Sequence, residues 1–276
     1  MNAFIALGLI VALVQPACAE FDKFDRLISY PGKTEVPCPV QDKDTGVILV
    51  IGQSNSGNHA EQRMASQYPN QVFNYFNGKC YQTSSPLLGT TGEKGEFMTP
   101  MADYLIQFGV YKRIIIVPSG INGTKIAYWK KGGYLNDMLM DVLDKVYSSY
   151  ELTEIVWHQG ESDFLEHTSA EEYKTSFYSL LSTVRHSENK IPFYYAIATR
   201  CSAPWSPDNV IAQMQRTLSS YDDNIYLGAD TDSMVLTSER IDGFCHFKES
   251  GQLKTAYAFA MSICEQHISS TQGRKS

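Results

Sequence analysis

The sequence predicts a three-layer α/β sandwich, one parallel β-sheet covered by helices on both faces. Three observations predict it. Short β-branched or aromatic runs alternate with stretches of helical period, the runs are apolar throughout as in strands buried on both sides, and polar Gly-rich segments follow several of them. The strand runs are residues 47–51, 72–75, 114–117, 154–157, 193–198 and 225–227. Between them, Thr99-Pro100 caps and opens a helix to about residue 108, and residues 135–147 carry apolar side chains three and four apart. Ser169 with Glu172 forms a capping box for a helix to about residue 186, and residues 209–219 and 250–267 complete the set.

Composition limits the function classes. The chain has 276 residues, of which 43% are hydrophobic and 19% charged, which excludes disorder, coiled coil and collagen. A net charge of -7 with no basic run argues against a nucleic-acid or anionic-membrane partner. Seventeen Tyr suit a cleft for sugars, being flat, apolar and hydrogen-bonding at the tip.

Residues 4–14 are uninterruptedly apolar and are followed by Ala17-Cys18-Ala19, which reads as a signal peptide cleaved before Glu20. The run is too short to span a bilayer, and Gln15 stands where a lipidated Cys18 would need an apolar residue. Residues 20–276 then form one domain of an exported protein, secreted or periplasmic, with no stable membrane association after cleavage. Cleavage leaves Cys38, Cys80, Cys201, Cys245 and Cys264. No pair has Cys-x-x-Cys spacing and no His falls at zinc-ligand spacing, so no metal is expected and disulfides fit the compartment. Cys201 follows a strand and Cys245 adjoins His246, both at the carboxyl edge of the sheet, which predicts that they pair; Cys38 would pair with Cys80. Cys264 lies in a helical pattern and is the candidate unpaired thiol.

In such sheets the ligand site lies beyond the carboxyl ends of the strands. There the sequence offers Gly52-Gln53-Ser54-Asn55, then Pro118 through Thr124, then His158-Gln159-Gly160-Glu161-Ser162-Asp163, and near the end Asp242-Gly243-Phe244-Cys245-His246. A serine, a histidine near a carboxylate, and loops of glycine and amides are the parts of acyl transfer. Ser54, between a strand end and a helix start, is the candidate nucleophile; His246 is the base and Asp242 its orienting acid. The amides of Ser54 and Gly123 and the side chain of Gln159 are the oxyanion donors. Glu161 is a brace for the surrounding loops or an alternative acid. His158 should point away from Gln159, as neighbours on a strand do. Trp129 and Trp157 are core, Trp205 lies in a loop, and His59, His167, His186 and His267 are solvated.

GQSNSG around Ser54, NGTKIAYW from Asn122, WHQGESD from Trp157 and DGFCHF before the last helix resemble the four blocks of the SGNH hydrolase superfamily. More narrowly they resemble its sialate O-acetylesterase and acetylxylan-esterase-like branch. The resemblance implies a flavodoxin-like sheet, no cofactor, and removal of O-acetyl groups from an acetylated carbohydrate, with Ser54, His246, Gly123 and Gln159 at the family's functional positions. Two departures stand out. Asp242 is four residues before His246, where the family has three, and Asn122 replaces a common glycine. A short-chain lipase or thioesterase, and a non-catalytic glycan-binding module, are the alternatives.

Overall fold

Side-chain alternation along the strands builds two cores, one on each face of a single sheet. In the computed structural model, which describes residues 18–185 and 190–273 except the side chains of Asp242 and of residues 270–273, Val47, Leu49 and Ile51 enter one core. Ile48 and Val50 enter the other. The expected signal segment up to residue 17, and His186, lie outside the described residues.

In chain order the strands are β1 (Glu20–Phe21), β2 (Leu27–Ser29), β3 (Glu35–Val36), β4 (Thr45–Gly52), β5 (Val72–Phe76), β6 (Lys79–Gln82), β7 (Arg113–Pro118), β8 (Glu154–His158), β9 (Phe193–Ile197) and β10 (Ile225–Asp230). The helices are α1 (Met98–Gln107), α2 (Asn136–Tyr147), α3 (Glu161–Leu165), α4 (Ala170–Val184), α5 (Val210–Gln215), α6 (Thr231–Met234) and α7 (Glu249–Gly273). The large sheet runs β10-β9-β8-β4-β7-β5-β6-β3. From β10 to β5 all neighbours are parallel, and β6 and β3 extend the edge antiparallel. Residues of α2, α4 and α5 fill the core on one face and those of α1 and α7 the core on the other. The three-layer sandwich expected from the alternation is therefore present. In a flavodoxin order the first strand lies between the second and third; here β4 lies between β7 and β8, the third and fourth of the parallel set.

That order fixes where a site can form. The chain builds out from β4 to one side through β5 and β7, then crosses to the other side at β8. The carboxyl ends of β7, β4 and β8 stand adjacent at this reversal, where opposed crossovers leave a crevice.

The six expected strands are all present. Ser169 caps α4 as expected, accepting from the Glu172 N–H at 3.1 Å, and Asn209, for which no cap was read, caps α5 by accepting from Ile211 and Ala212. α1 differs, because Glu96 and not Thr99 does the capping, its buried carboxyl accepting from the Thr99 N–H at 2.8 Å and hydroxyl at 2.6 Å. Both expected disulfides are formed: Cys38–Cys80 fastens the edge beside the β3–β6 pair, and Cys201–Cys245 joins the loop after β9 to the loop before α7. Cys264 is unpaired and half-buried.

Candidate active site

Ser54 stands two residues past the end of β4, and the chain can turn there because residue 52 is glycine. Gly52 has φ +134°, and a Cβ on it would lie 2.1 Å from the His158 carbonyl oxygen. The turn that follows, Ser54–Ser56, is a single 3-10 turn and not the helix start expected from the sequence. The Ser56 hydroxyl lies 3.0 Å from the carbonyls of both Ile51 and His158, and the Gln53 N–H donates to the same His158 carbonyl at 3.0 Å. Ser54 is thus held, 2% exposed, at the adjoining ends of β4 and β8.

The loop after β7 lies against this turn. Ile121 N–H donates to the Gly52 carbonyl at 2.9 Å, and Asn122 N–H to the Thr91 hydroxyl at 3.0 Å. Thr124 closes the loop onto the Ile121 carbonyl and receives the Trp129 indole N–H at 3.1 Å. Gly123, at φ +68°, turns the chain. Among the described residues, neither the Ser54 nor the Gly123 N–H is spent on a protein acceptor.

Beyond β8 the side chains separate as strand geometry requires. His158 is fully buried toward Phe97 and Phe247, with Nε2 3.0 Å from the Thr231 hydroxyl; burial pushes its pKa down to about 3. Gln159 goes the other way. Its amide donates to the Thr124 carbonyl at 3.0 Å and to the Asp163 carboxylate, which also takes the Ile126 N–H at 2.8 Å. Gln159 thus binds the loop carrying Gly123 directly at Thr124 and, through Asp163, at Ile126 just beyond it.

Glu161 is 1% exposed, and its Oε1 accepts from Asn55 Nδ2 at 2.8 Å. His158 Nδ1 lies 3.6 Å from the same oxygen, beyond hydrogen-bond reach. Burial raises the Glu161 carboxyl to about 7. Asn55 Nδ2 also lies 3.3 Å from the carbonyl of Cys245.

The loop before α7 is closed by an Arg240–Phe247 bridge and carries His246. The Arg240 guanidinium, 1% exposed, donates to the Cys245 carbonyl at 2.9 Å and the Thr231 carbonyl at 2.6 Å. Asp242 lies in the 3-10 turn Ile241–Gly243; its side chain is outside the described residues. Gly243 has φ +73°. His246 is half-buried, and burial first, then the Lys94 ammonium, lower its pKa.

Some residues were misjudged or missed in the sequence. His59 is not solvated: it is half-buried, stacked on His246 with ring centroids 5.2 Å apart and planes 26° apart. Nor is His267, whose Nε2 lies 2.9 Å from the buried Glu154 carboxylate. Asn55, Arg240 and Lys94 were not singled out. Asn55 lay inside a recognised block, which was the available signal; Arg240 and Lys94 carry none. Trp129 and Trp157 are fully buried and meet edge to face at 5.7 Å, as core residues. Trp205 donates to the Thr199 hydroxyl at 2.9 Å, with Arg200 over its ring at 4.8 Å.

Loops carrying a serine, a histidine and backbone amides thus meet at the reversal point of a parallel sheet. Residues 44–265 match the carbohydrate esterase, sialic acid-specific acetylesterase family, and the chain belongs to that family. It is 31% identical over 75 residues to a probable carbohydrate esterase of Arabidopsis thaliana, a stretch covering 27% of this chain and 29% of that protein's length. The X-ray structure of an Arabidopsis thaliana protein superposes with TM-score 0.62 at 18% identity, covering 82% of this chain and 98% of the other. A carbohydrate acetylesterase from Xanthomonas citri gives TM-score 0.55 at 16% identity, over 79% and 55% of the two chains. At these identities the structural likenesses establish the fold.

Proposed function

We propose that this protein is an exported serine esterase that removes O-acetyl groups from a carbohydrate. The single observation that carries the reading is the hydrogen-bonded link between the two halves of the site: the residue after Ser54, Asn55, donates to the carbonyl of the residue before His246. It brings together a serine and a histidine that are far apart in sequence.

In the proposed mechanism the Ser54 hydroxyl oxygen attacks the acetyl carbonyl carbon while His246 takes its proton. That demands a neutral imidazole, and burial with the nearby Lys94 charge favours one at neutral pH. The oxyanion forms where the unspent N–H groups of Ser54 and Gly123 can donate to it. Gln159, committed to Thr124 and Asp163, serves that hole by fixing the loop that carries Gly123. The imidazolium returns its proton to the departing sugar oxygen, and water then releases acetate by the same steps. Asp242 is assigned to orient His246, and the left-handed Gly243 gives its turn the extra residue that the sequence requires. Export accords with the two disulfides. Among the described residues no helix is long and apolar enough to cross a membrane.

Hydrolysis of p-nitrophenyl acetate and octanoate tests the reading. The acetate should be turned over far faster, Ser54→Ala should abolish turnover, and Asp242→Asn should lower kcat severely with an unchanged melting curve. Preference for the octanoate would make the protein a lipase or thioesterase, and activity surviving in Ser54→Ala would remove the serine mechanism. Acetate release from acetylated sialic acids, xylan and peptidoglycan fragments then identifies the sugar.

A further inference from the structure

The stacking of His59 on His246 has no part in the mechanism above, and the surroundings of His59 are built to hold it. Its Nε2 is 3.1 Å from the Thr91 hydroxyl, the same oxygen that accepts the Asn122 N–H beside Gly123. Two glycines make room for the ring: a Cβ on Gly92 would stand 2.9 Å from His59 Nε2, and one on Gly57 would stand 3.3 Å from its Cδ2. One ring therefore meets the histidine loop through its face and, through the Thr91 hydroxyl at its edge, is linked to the Gly123 loop.

We propose that His59 is a positioning residue for the esterase reaction, setting the plane of the His246 ring and holding it in register with the oxyanion loop through Thr91. The inference rests on His246 being the base. A catalytic imidazole must present one nitrogen to the serine while its ring neither tilts nor slides; an orienting acid fixes one ring edge, and a flat neighbour anchored at its own edge fixes the plane. His59 suits this because it stays uncharged: burial, with the charges of His246 and Lys94, pushes its pKa down to about 4. A neutral ring can lie against the imidazolium formed during the reaction without repelling it, and it keeps water from that face. Of the described charged groups, Lys94, from the loop before α1, acts on His246.

Two substitutions separate positioning from a merely structural role. His59→Ala removes plate and anchor; His59→Phe keeps the plate and loses the bond to Thr91. Turnover of p-nitrophenyl acetate is measured per active site titrated with a fluorophosphonate, across pH, and the His246 imidazole is titrated by NMR. His59→Ala should lower kcat per titrated site on the order of ten- to a hundredfold, the usual cost of misplaced catalytic groups, with little change in KM. Its acid limb and the NMR pKa of His246 should rise toward about 6.5 as water reaches the ring. His59→Phe should return both pKa readouts to wild-type values and recover part of kcat, the lost bond to Thr91 keeping it below wild type. Wild-type kcat and pKa in His59→Ala would overturn the proposal, as would a lowered melting temperature with neither value moved. If His59→Ala does not fold, His59→Leu fills the space without a flat ring and should lower kcat per site, and a wild-type kcat there overturns the proposal. A wild-type protein without hydrolytic activity would instead overturn the esterase reading, and the NMR titration would still report the contact between the two rings.

Discussion

Burial holds the Glu161 carboxyl at about 7, so near neutral pH it is poised between a neutral and a charged form, with Asn55 as its hydrogen-bond donor. In the unfolded chain the same group ionises near 4.5. Between these values the folded protein keeps a proton that the unfolded chain gives up, so this group's contribution to stability is full below about 4.5 and is lost as pH rises through about 7. The loss is of order ~3 kcal/mol. Glu161→Gln keeps an acceptor for Asn55 and cannot ionise. Its melting temperature should match wild type near pH 5 and exceed it by several degrees near pH 8, read by calorimetry at the two pH values. An equal difference at both would show that Glu161 does not titrate in this range. Near wild-type kcat in this variant would leave Asp242 as the acid, whereas collapse of kcat at unchanged stability would move the role to Glu161. The block positions Ser54, Gln159, Glu161 and His246 could be found in the sequence because each follows a recognisable strand or precedes a long helix. The bonds of Asn55 could not, since they join residues 106 and 190 positions apart and no local pattern marks such a pair. His59 was misread for a related reason: it sits in a loop, and only packing places it under His246.

The loop carrying His246 has no helix or strand of its own to hold it, so cross-links do that work. Cys201–Cys245 ties it to the loop after β9, and Arg240 and Asn55 bind the Cys245 carbonyl from two sides. Replacing both cysteines by serine should cost about 2–4 kcal/mol, the usual range for a native bridge, and should also lower kcat. Replacing Cys38 and Cys80 should lower the melting temperature without a comparable loss of kcat, because that bridge fastens the β6–β3 edge and not the reversal point at β4. Equal kcat losses in the two double mutants would contradict this division. Long buried strands announce themselves in sequence, and the parallel sheet was readable from them. Its antiparallel edge was missed because β3 has two residues and β6 four, too short for periodicity. Yet Asn77-Gly78, both at positive φ between β5 and β6, is the pattern of a two-residue hairpin and was a usable signal. The residue 209–219 helix ends early, at Gln215, whose side chain accepts from the Ala198 N–H and donates to the Gln159 carbonyl. After it the chain tightens into three-residue turns, Thr217 to Met214 and Leu218 to Gln215.

Across the whole molecule, two sets of buried groups pull the pH dependence of stability in opposite directions. Burial raises the carboxyls of Glu96, Asp103, Glu161, Asp163 and Asp232, so each holds its proton to a higher pH than in the unfolded chain and weakens the folded state as pH rises. Burial lowers the pKa of His59, His158 and His246, so the fold refuses protons that the unfolded chain takes up below about 6.5, and stability is lost as pH falls through their folded values. Glu161 has its window between about 4.5 and 7, His59 between about 4 and 6.5 and His158 between about 3 and 6.5, so two imidazoles oppose one carboxyl over the shared range. The melting temperature should therefore fall as pH drops from about 6.5 toward 4. Below about pH 4 Asp42, Asp44, Asp223 and Glu239, whose pKa values are held low by their hydrogen-bonded partners, begin to lose their charge and add to the fall. Calorimetry from about pH 3 to 8 checks this, and a melting temperature that rises as pH drops from about 6.5 to 4 would show that the buried carboxyls outweigh the imidazoles. The same burial lowers His246 below 6.5, so the acid limb of kcat/KM should also lie below that value. Raising the ionic strength should move that limb upward, because salt screens the exposed Lys94 charge that helps to keep the imidazole neutral. An acid limb above 6.5 at low salt would mean that an opposing carboxylate dominates His246, which the described charges around it do not supply.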